Sequence, residues 1–319
     1  MFGETSTTPS LIRLGDDDPH DLDCNFNYKR NGIFLHNIDV LLTVVGAAAG
    51  LAISSFSSPQ PDYSYWLVSN RIIVAFRDTK IEGDRKFQTK TILWSLRKLL
   101  CFLQSGRYAE ATWTARFRGQ PLLGFGGLSW KTQNEVDGDA AIDGENNVEG
   151  STNATVAEKT GVTDEERVTV TDIRVLPDGH KFQPFDIYIT ILNLLIKEAE
   201  TNPEEHSLVC DGYYAAADLT MAVTATSTAA ANRLLNKYIV ESLWDIARKL
   251  PNIREVDAQW KETNWLVRVG GSAGVASGDV GAQGRIVGRG VMFKGKFSGD
   301  ERQKWVDSDP QEGIEATVL

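Results

Sequence analysis

The sequence predicts an α+β fold, with a mainly antiparallel sheet built from repeated β-α-β(β) units and amphipathic helices on one face. Three observations predict it. Short β-type runs recur in pairs around turn residues, apolar stripes at helical spacing lie between those pairs, and one tripeptide recurs ahead of two of the stripes.

Tyr63–Val68 and Ile72–Arg77 read as two strands around Ser69-Asn70-Arg71. Phe87–Leu103 carries Ile92, Leu96, Leu99, Leu100 and Leu103 on one helical stripe, with Lys90, Arg97 and Lys98 off it. Ala111–Arg118 and Pro121–Trp130 form a second strand pair, closed by Gly119-Gln120, and Val168–Val175 reads as a further strand. The alternation Phe185, Ile187, Ile189, Ile191 fits a strand. Pro184 at a first helical position and the finish Lys197-Glu198-Ala199-Glu200 decide for a helix over Pro184–Ala199. Val209–Thr224 is extended, Lys237–Leu250 is a helix stopped by Pro251, and Glu255–Gln259 with Trp265–Val269 predicts a third hairpin.

Lys86-Phe87-Gln88 recurs as Lys181-Phe182-Gln183. In that register Ile92, Leu96, Leu99 and Leu100 fall on Ile187, Ile191, Leu194 and Leu195, and each helix follows a tight turn, Gly83-Asp84-Arg85 or Asp178-Gly179-His180. A fainter third copy sets Lys86…Arg97-Lys98-Leu99 on Lys237…Arg248-Lys249-Leu250. One such unit cannot cover its own apolar face, so two or three must pack together. The resulting division is an irregular acidic segment over 1–36, a first α+β half over 37–131, and an acidic insertion over 132–166. A second half over 167–298 packs on the first, and a polar tail follows over 299–319.

The net charge of −10 is concentrated in the insertion, where ten acids stand against Lys159 alone with no aromatic residue, the pattern of a disordered or extended loop. The remaining body is nearly neutral, which excludes a broad nucleic-acid surface built from clustered Lys and Arg. Cys24, Cys101 and Cys210 lack metal or redox spacing, and Met1–Gly15 lacks the basic-then-apolar pattern of a secretory leader. The expectation is a reducing, cytoplasmic setting, with Cys101 buried on its helix and Asn153-Ala154-Thr155 a chance sequon.

The uncharged run Val40–Phe56 would span about 25 Å as a helix, short of the roughly 30 Å of a bilayer core. It is read as a buried core helix, with Gly46 and Gly50 allowing close packing, and a membrane role is not expected. Asp16, Asp17, Asp18, His20, Asp21, Asp23 and Cys24 mix ligand types without calcium-loop spacing, and read as a solvated acidic surface rather than a metal site. Arg85, Lys86, His180 and Lys181 put positive charge ahead of helix N-termini, against the macrodipole, and Arg285 and Arg289 sit in the glycine-rich run Gly270–Gly290. These six are the candidate anion-binding residues. Solvent screening and bends where backbones approach closely explain the same residues without a ligand. Ala316-Thr317-Val318-Leu319 resembles a PDZ ligand only in its last positions and reads as a terminus.

No motif names a reaction, a cofactor or a metal. The function expected is therefore binding or self-assembly without catalysis, with a homo-oligomer or a protein as partner. The alternative is a small-molecule enzyme or phosphate-ligand binder with a site near residues 270–290.

Overall fold

Leu22–Tyr28 alternates apolar and polar residues, and it forms the first strand, β1, of a sheet that is covered on one face only. The computed structural model describes residues 19–60, 62–67, 69–79, 87–131, 152–153, 167–226, 233–253, 259–270 and 284–296. After β1 come α1 (Asn37–Ala52), β2 (Asp62–Trp66), β3 (Ile72–Asp78), α2 (Thr89–Ser105), β4 (Ala111–Phe117) and β5 (Leu122–Trp130). The sheet runs β1-β4-β5-β3-β2, every neighbour antiparallel, and β6 (Thr152–Asn153) adds in parallel beside β2. The chain then repeats the sequence of elements: β7 (Val168–Val175), α3 (Pro184–Ala199), β8 (Val209–Tyr214), β9 (Leu219–Ala225), α4 (Asn236–Lys249), β10 (Thr263–Val269) and β11 (Arg285–Lys294). Its sheet runs β7-β10-β11-β9-β8, the same order with each strand replaced by its counterpart.

Each sheet needs its apolar face covered, and each pair of helices supplies a stripe to do it. In the first half α1 lies on β2 and β3 and α2 on β1; in the second, α3 lies on β8 and β9 and α4 on β7. The helices also carry apolar residues on their far sides, so the two helical layers pack on each other. Helix α1 meets α3 and α4, and α2 meets α3. The layers therefore run sheet, helices, helices, sheet, and one continuous apolar cluster joins both halves. Val40, Leu41, Val44, Val45, Ala47 and Ala48 of α1 are fully buried at this centre. Among the described residues no helix is long and apolar enough to cross a membrane.

As far as the second helix of each half, the two halves correspond at nearly one offset; beyond it the offset grows, with β4 and β10 starting 152 residues apart (263 − 111). Helices α1 and α3 start 147 residues apart (184 − 37), and the same offset relates β2 to β8, β3 to β9 and α2 to α4, while β1 and β7 end 147 residues apart (175 − 28). Details follow it. Thr43 and Thr190 each donate to the carbonyl of an aspartate four residues back, Asp39 and Asp186. Arg71 and Asp218 are both left-handed, at φ 56° and 52°. Gly32 and Gly179 each donate an N–H to the residue three back. This register differs from the one drawn from Lys86-Phe87-Gln88, which sets α2 against α3. Leu96 and Ile191 are both fully buried, but on helices that are not counterparts. The repeating unit is larger than the tripeptide suggests, because the tripeptide marks an apolar residue docking just before a helix, and all four helices have one there, Leu35, Phe87, Phe182 and Leu234.

Other expectations shift as well. The segment 1–36 is not irregular throughout, since β1 lies within it. Cys101 is exposed rather than buried, because it sits off the apolar stripe of α2. Trp265–Val269 lies in β10, which pairs with β7 and β11 rather than in a hairpin with 255–259, of which 254–258 lie outside the described residues. Of the glycine-rich run, 285–290 is strand β11, and there the glycines allow close approach: a Cβ at Gly290 would stand 1.8 Å from Trp265 Cε2. Gly126 holds the matching place in the first half, 2.0 Å from Trp113 Cε2. The insertion contributes β6 as two extended residues; its remaining positions, and 297–319, lie outside the described residues.

Candidate functional site

Of the six candidate anion-binding residues, the four that are described, His180, Lys181, Arg285 and Arg289, do not converge. Arg85 and Lys86 lie outside the described residues. Lys181 bridges to Lys261 just ahead of β10, whereas Arg285 pairs with Val269 at the far end of that strand, roughly 25 Å away at about 3.3 Å per residue. His180 packs edge-on against Phe182, and Arg289 is buried in mid-strand opposite Leu266. The acidic knot also separates: Asp23 points outward and pairs with Arg116 at 3.3 Å, while Cys24 points inward and donates to Ser95 Oγ. Adjacent strand residues face opposite sides, so these two cannot share a ligand. Burial pushes the Cys24 thiol up, which disfavours the thiolate. Among the described residues no cluster of three or more His, Cys, Asp or Glu side chains could hold a metal.

Buried polar groups mark a second kind of place. Glu198 of α3 is 4% exposed, with its Oε2 unpartnered and the Cys210 thiol of β8 beside it. Desolvation raises the carboxyl's pKa. Asp245 of α4 accepts the Val170 N–H at 2.8 Å, and Lys249 donates to the Val170 carbonyl at 2.6 Å. Those two side chains cover backbone groups on the outer edge of β7.

That covering draws attention to the four sheet edges, because an edge strand presents unpaired N–H and C=O groups to any strand that can reach them. On β7 the edge is blunted twice: by the Asp245–Lys249 pair, and by a register shift at Asp172, which takes φ 51°. The edge of β2 carries β6. On β8, Lys197 Nζ donates to the Asp211 carbonyl at 3.0 Å. The edge of β1 has no such cover among the described residues, and β1 pairs with β4 without a break from Leu22 to Tyr28.

The orientation of those edge groups follows from two bonds. Lys29 N–H donates to the Glu110 carbonyl, and Arg118 N–H donates to the Asp21 carbonyl. Hydrogen-bonded pairs alternate along an antiparallel ladder, so Asp21, Asp23, Asn25, Asn27 and Lys29 direct their backbone groups at β4. Leu22, Cys24, Phe26 and Tyr28 direct theirs outward, at the open edge.

Beside that edge runs a row of half-buried aromatic residues. Phe102 of α2 stacks on Phe26 at 5.0 Å and meets Tyr28 at 4.7 Å. The Arg107 guanidinium lies 4.8 Å from the Tyr28 ring and 5.2 Å from that of Phe34. Phe34 is 72% exposed and Ile33 46% exposed, the two most prominent apolar positions there. The residues at the matching places of the second half are polar. Ile33 and Phe34 correspond to His180 and Lys181, Phe102 to Lys249, and Lys98 to Asp245, each 147 residues on. Among the described residues, one half thus carries the edge-covering charges and the other carries apolar side chains and a strand without them.

A shallow cleft of about 700 Å³ lies on the outer face of the first sheet between Asp62, Ala75, Arg77, Phe125 and Gly127. It is open, and its charged pair, Arg77 and Asp62, is exposed. No protein-family model, curated protein or solved structure matches the chain.

Sequence reasoning missed the β1 edge. The signal was present in the alternation Leu22, Cys24, Phe26, Tyr28, but the charged residues before it drew the segment into an irregular tail.

Proposed function

We propose that the protein is a non-catalytic binding protein that acts by association, through the open edge of β1 and the apolar side chains beside it. One observation carries this reading: of the two corresponding edge strands, β7 is bulged and clamped by Asp245 and Lys249, whereas β1 is regular, has no such clamp among the described residues and is flanked by Phe34, Ile33 and Phe102. Strands added to an edge gain main-chain hydrogen bonds for affinity and neighbouring apolar contacts for specificity. A solvent-facing edge has no use for exposed Phe and Ile, and edges that must stay single carry charge or a bulge.

The test gives the first half the second half's residues at these places, Ile33→His with Phe34→Lys. Both positions are exposed, so the melting temperature should hold. Association of the full chain, followed by sedimentation velocity between micromolar and ~100 µM, should weaken by about tenfold, as loss of one buried aromatic anchor does. Unchanged association would refute the reading.

A further inference from the structure

Resting on that reading, we infer that the strand added to β1 is β1 of a second copy of this chain, paired antiparallel about a two-fold axis at Asn25. The register follows from which groups face outward. Leu22, Cys24, Phe26 and Tyr28 present their N–H and C=O groups to the open edge. In an antiparallel pair only outward-directed residues can stand hydrogen-bonded opposite one another. Centring the pair on Asn25 sets Cys24 against Phe26 of the other copy and Leu22 against Tyr28, which uses all four residues on both strands. About eight ladder bonds result, and sliding by a residue on each strand leaves about six.

The side chains agree with that register. On the outer face Asp21 comes opposite Lys29 of the other copy, an opposite-charge pair at each end, and Asp23 comes opposite Asn27, so no like charges meet. Asn25 meets itself, and two amides can donate and accept mutually. On the inner face Cys24 and Phe26 adjoin their counterparts, extending the aromatic row of Phe26, Phe102 and Tyr28 across the seam. A two-fold pairing uses the same patch on both copies, closes on itself and leaves neither β1 edge open. The corresponding strand of the second half cannot pair this way, because the shift at Asp172 breaks its register and Asp245 and Lys249 occupy the Val170 groups.

A cross-linking experiment reads the register directly. Facing residues at a non-hydrogen-bonded position have Cα atoms about 4.5 Å apart, within disulfide reach, whereas two copies of residue 27 would stand about 14 Å apart. In full-length protein with the exposed Cys101 replaced by Ser, Asn25→Cys should oxidise to a covalent dimer, and Asn27→Cys should not. A second pair of variants tests the same contact without a covalent bond. Asn25→Lys and Asn25→Asp should each dimerise about five- to tenfold more weakly at low salt, and an equimolar mixture should recover the loss by forming the mixed dimer. A dimer that Asn25→Cys does not trap, or that Asn27→Cys traps instead, overturns this pairing while the association reading stands. A chain monomeric at ~100 µM overturns the second copy as occupant, and the reading under Proposed function then rests on whether the chain captures a different strand. Insensitivity of a dimer to both Asn25 charge variants would also overturn it.

Discussion

Two adjacent glycines of β5 should respond in opposite directions to the same substitution. Gly126 faces inward under Trp113, where a Cβ would stand 2.0 Å from Cε2 and 2.2 Å from Cζ2 of the indole. Ordinary carbon contacts begin near 3.5 Å, so the ring or the strand must move by about 1.5 Å. Trp113 is 2% exposed and is wedged between Phe26 and Phe76, with ring centroids at 5.5 and 5.3 Å, so it has nowhere to go. Gly126→Ala should therefore destabilise by about 1–3 kcal/mol, the usual range for overpacking a filled core. At Gly127, which faces outward, an added Cβ meets nothing within 4 Å. Its φ is not in the left-handed region, so Gly127→Ala should be neutral or stabilise by about 0.4–1 kcal/mol through the unfolded chain. Equilibrium urea unfolding of the two variants measures both signs in one strand. The double variant Trp113→Phe with Gly126→Ala should lose less than the two single changes added, because the smaller ring vacates the clashing atoms. Equal effects at 126 and 127, or strict additivity in the double variant, would refute the packing argument. The same contact recurs at Gly290 beneath Trp265, so Gly290→Ala should behave as Gly126→Ala does.

Asp245→Ala should cost about 1–3 kcal/mol, since it strands the Val170 N–H and leaves Arg248 and Lys249 without their carboxylate; hydrogen exchange at Val170 should quicken more than at its neighbours. Gly46→Ala should loosen the packing of the halves by about 1–3 kcal/mol, because its Cβ would stand 2.3 Å from the Tyr65 hydroxyl and 2.8 Å from Trp244, and thermal melts will show it. Glu198 has a raised pKa from burial, so the folded state binds its proton more tightly than the unfolded state. Its contribution is present below the ordinary carboxylate pKa and is lost as pH rises through the folded value. Asp186, raised also by burial, acts in the same direction. Glu198→Gln should flatten the fall of melting temperature over that window, and an unchanged pH profile would show that Glu198 is not its source.

Much of the fold was legible because it depends on local periodicity. The stripe Ile92, Leu96, Leu99, Leu100, Leu103 and the proline at 184 placed two helices, and the runs around Asn70 and Gly119 placed two strand pairs. Asn70 shows why such a turn holds: its side chain bonds Thr43, the Asp39 carbonyl and the Ile72 N–H, tying the turn to α1. The proposed site was legible only in part. Leu22, Cys24, Phe26 and Tyr28 declare a strand by their alternation, but nothing local says whether the strand lies at an edge or at the centre of a sheet.

The correspondence of the halves divides in the same way. Glu110 and Glu262 show what tertiary structure decided. Each accepts the N–H of the residue that ends its sheet's fifth strand, Trp130 at 2.9 Å and Lys294 at 2.8 Å. Arg97 bonds Asn193 at 2.7 Å, where at the corresponding pair the Trp244 ring stands in the space that a Cβ on Gly46 would need. The amino-acid sequence by itself determined the helices, most strands and the location of the acidic insertion, because propensity, period and charge act between near neighbours in the chain. Which strand stands at an edge, which helix meets which, and which of two corresponding strands is clamped by Asp245 and Lys249 were decided only by the tertiary structure, since those depend on residues 70 to 150 positions apart brought within a few ångströms by burial of a shared apolar core.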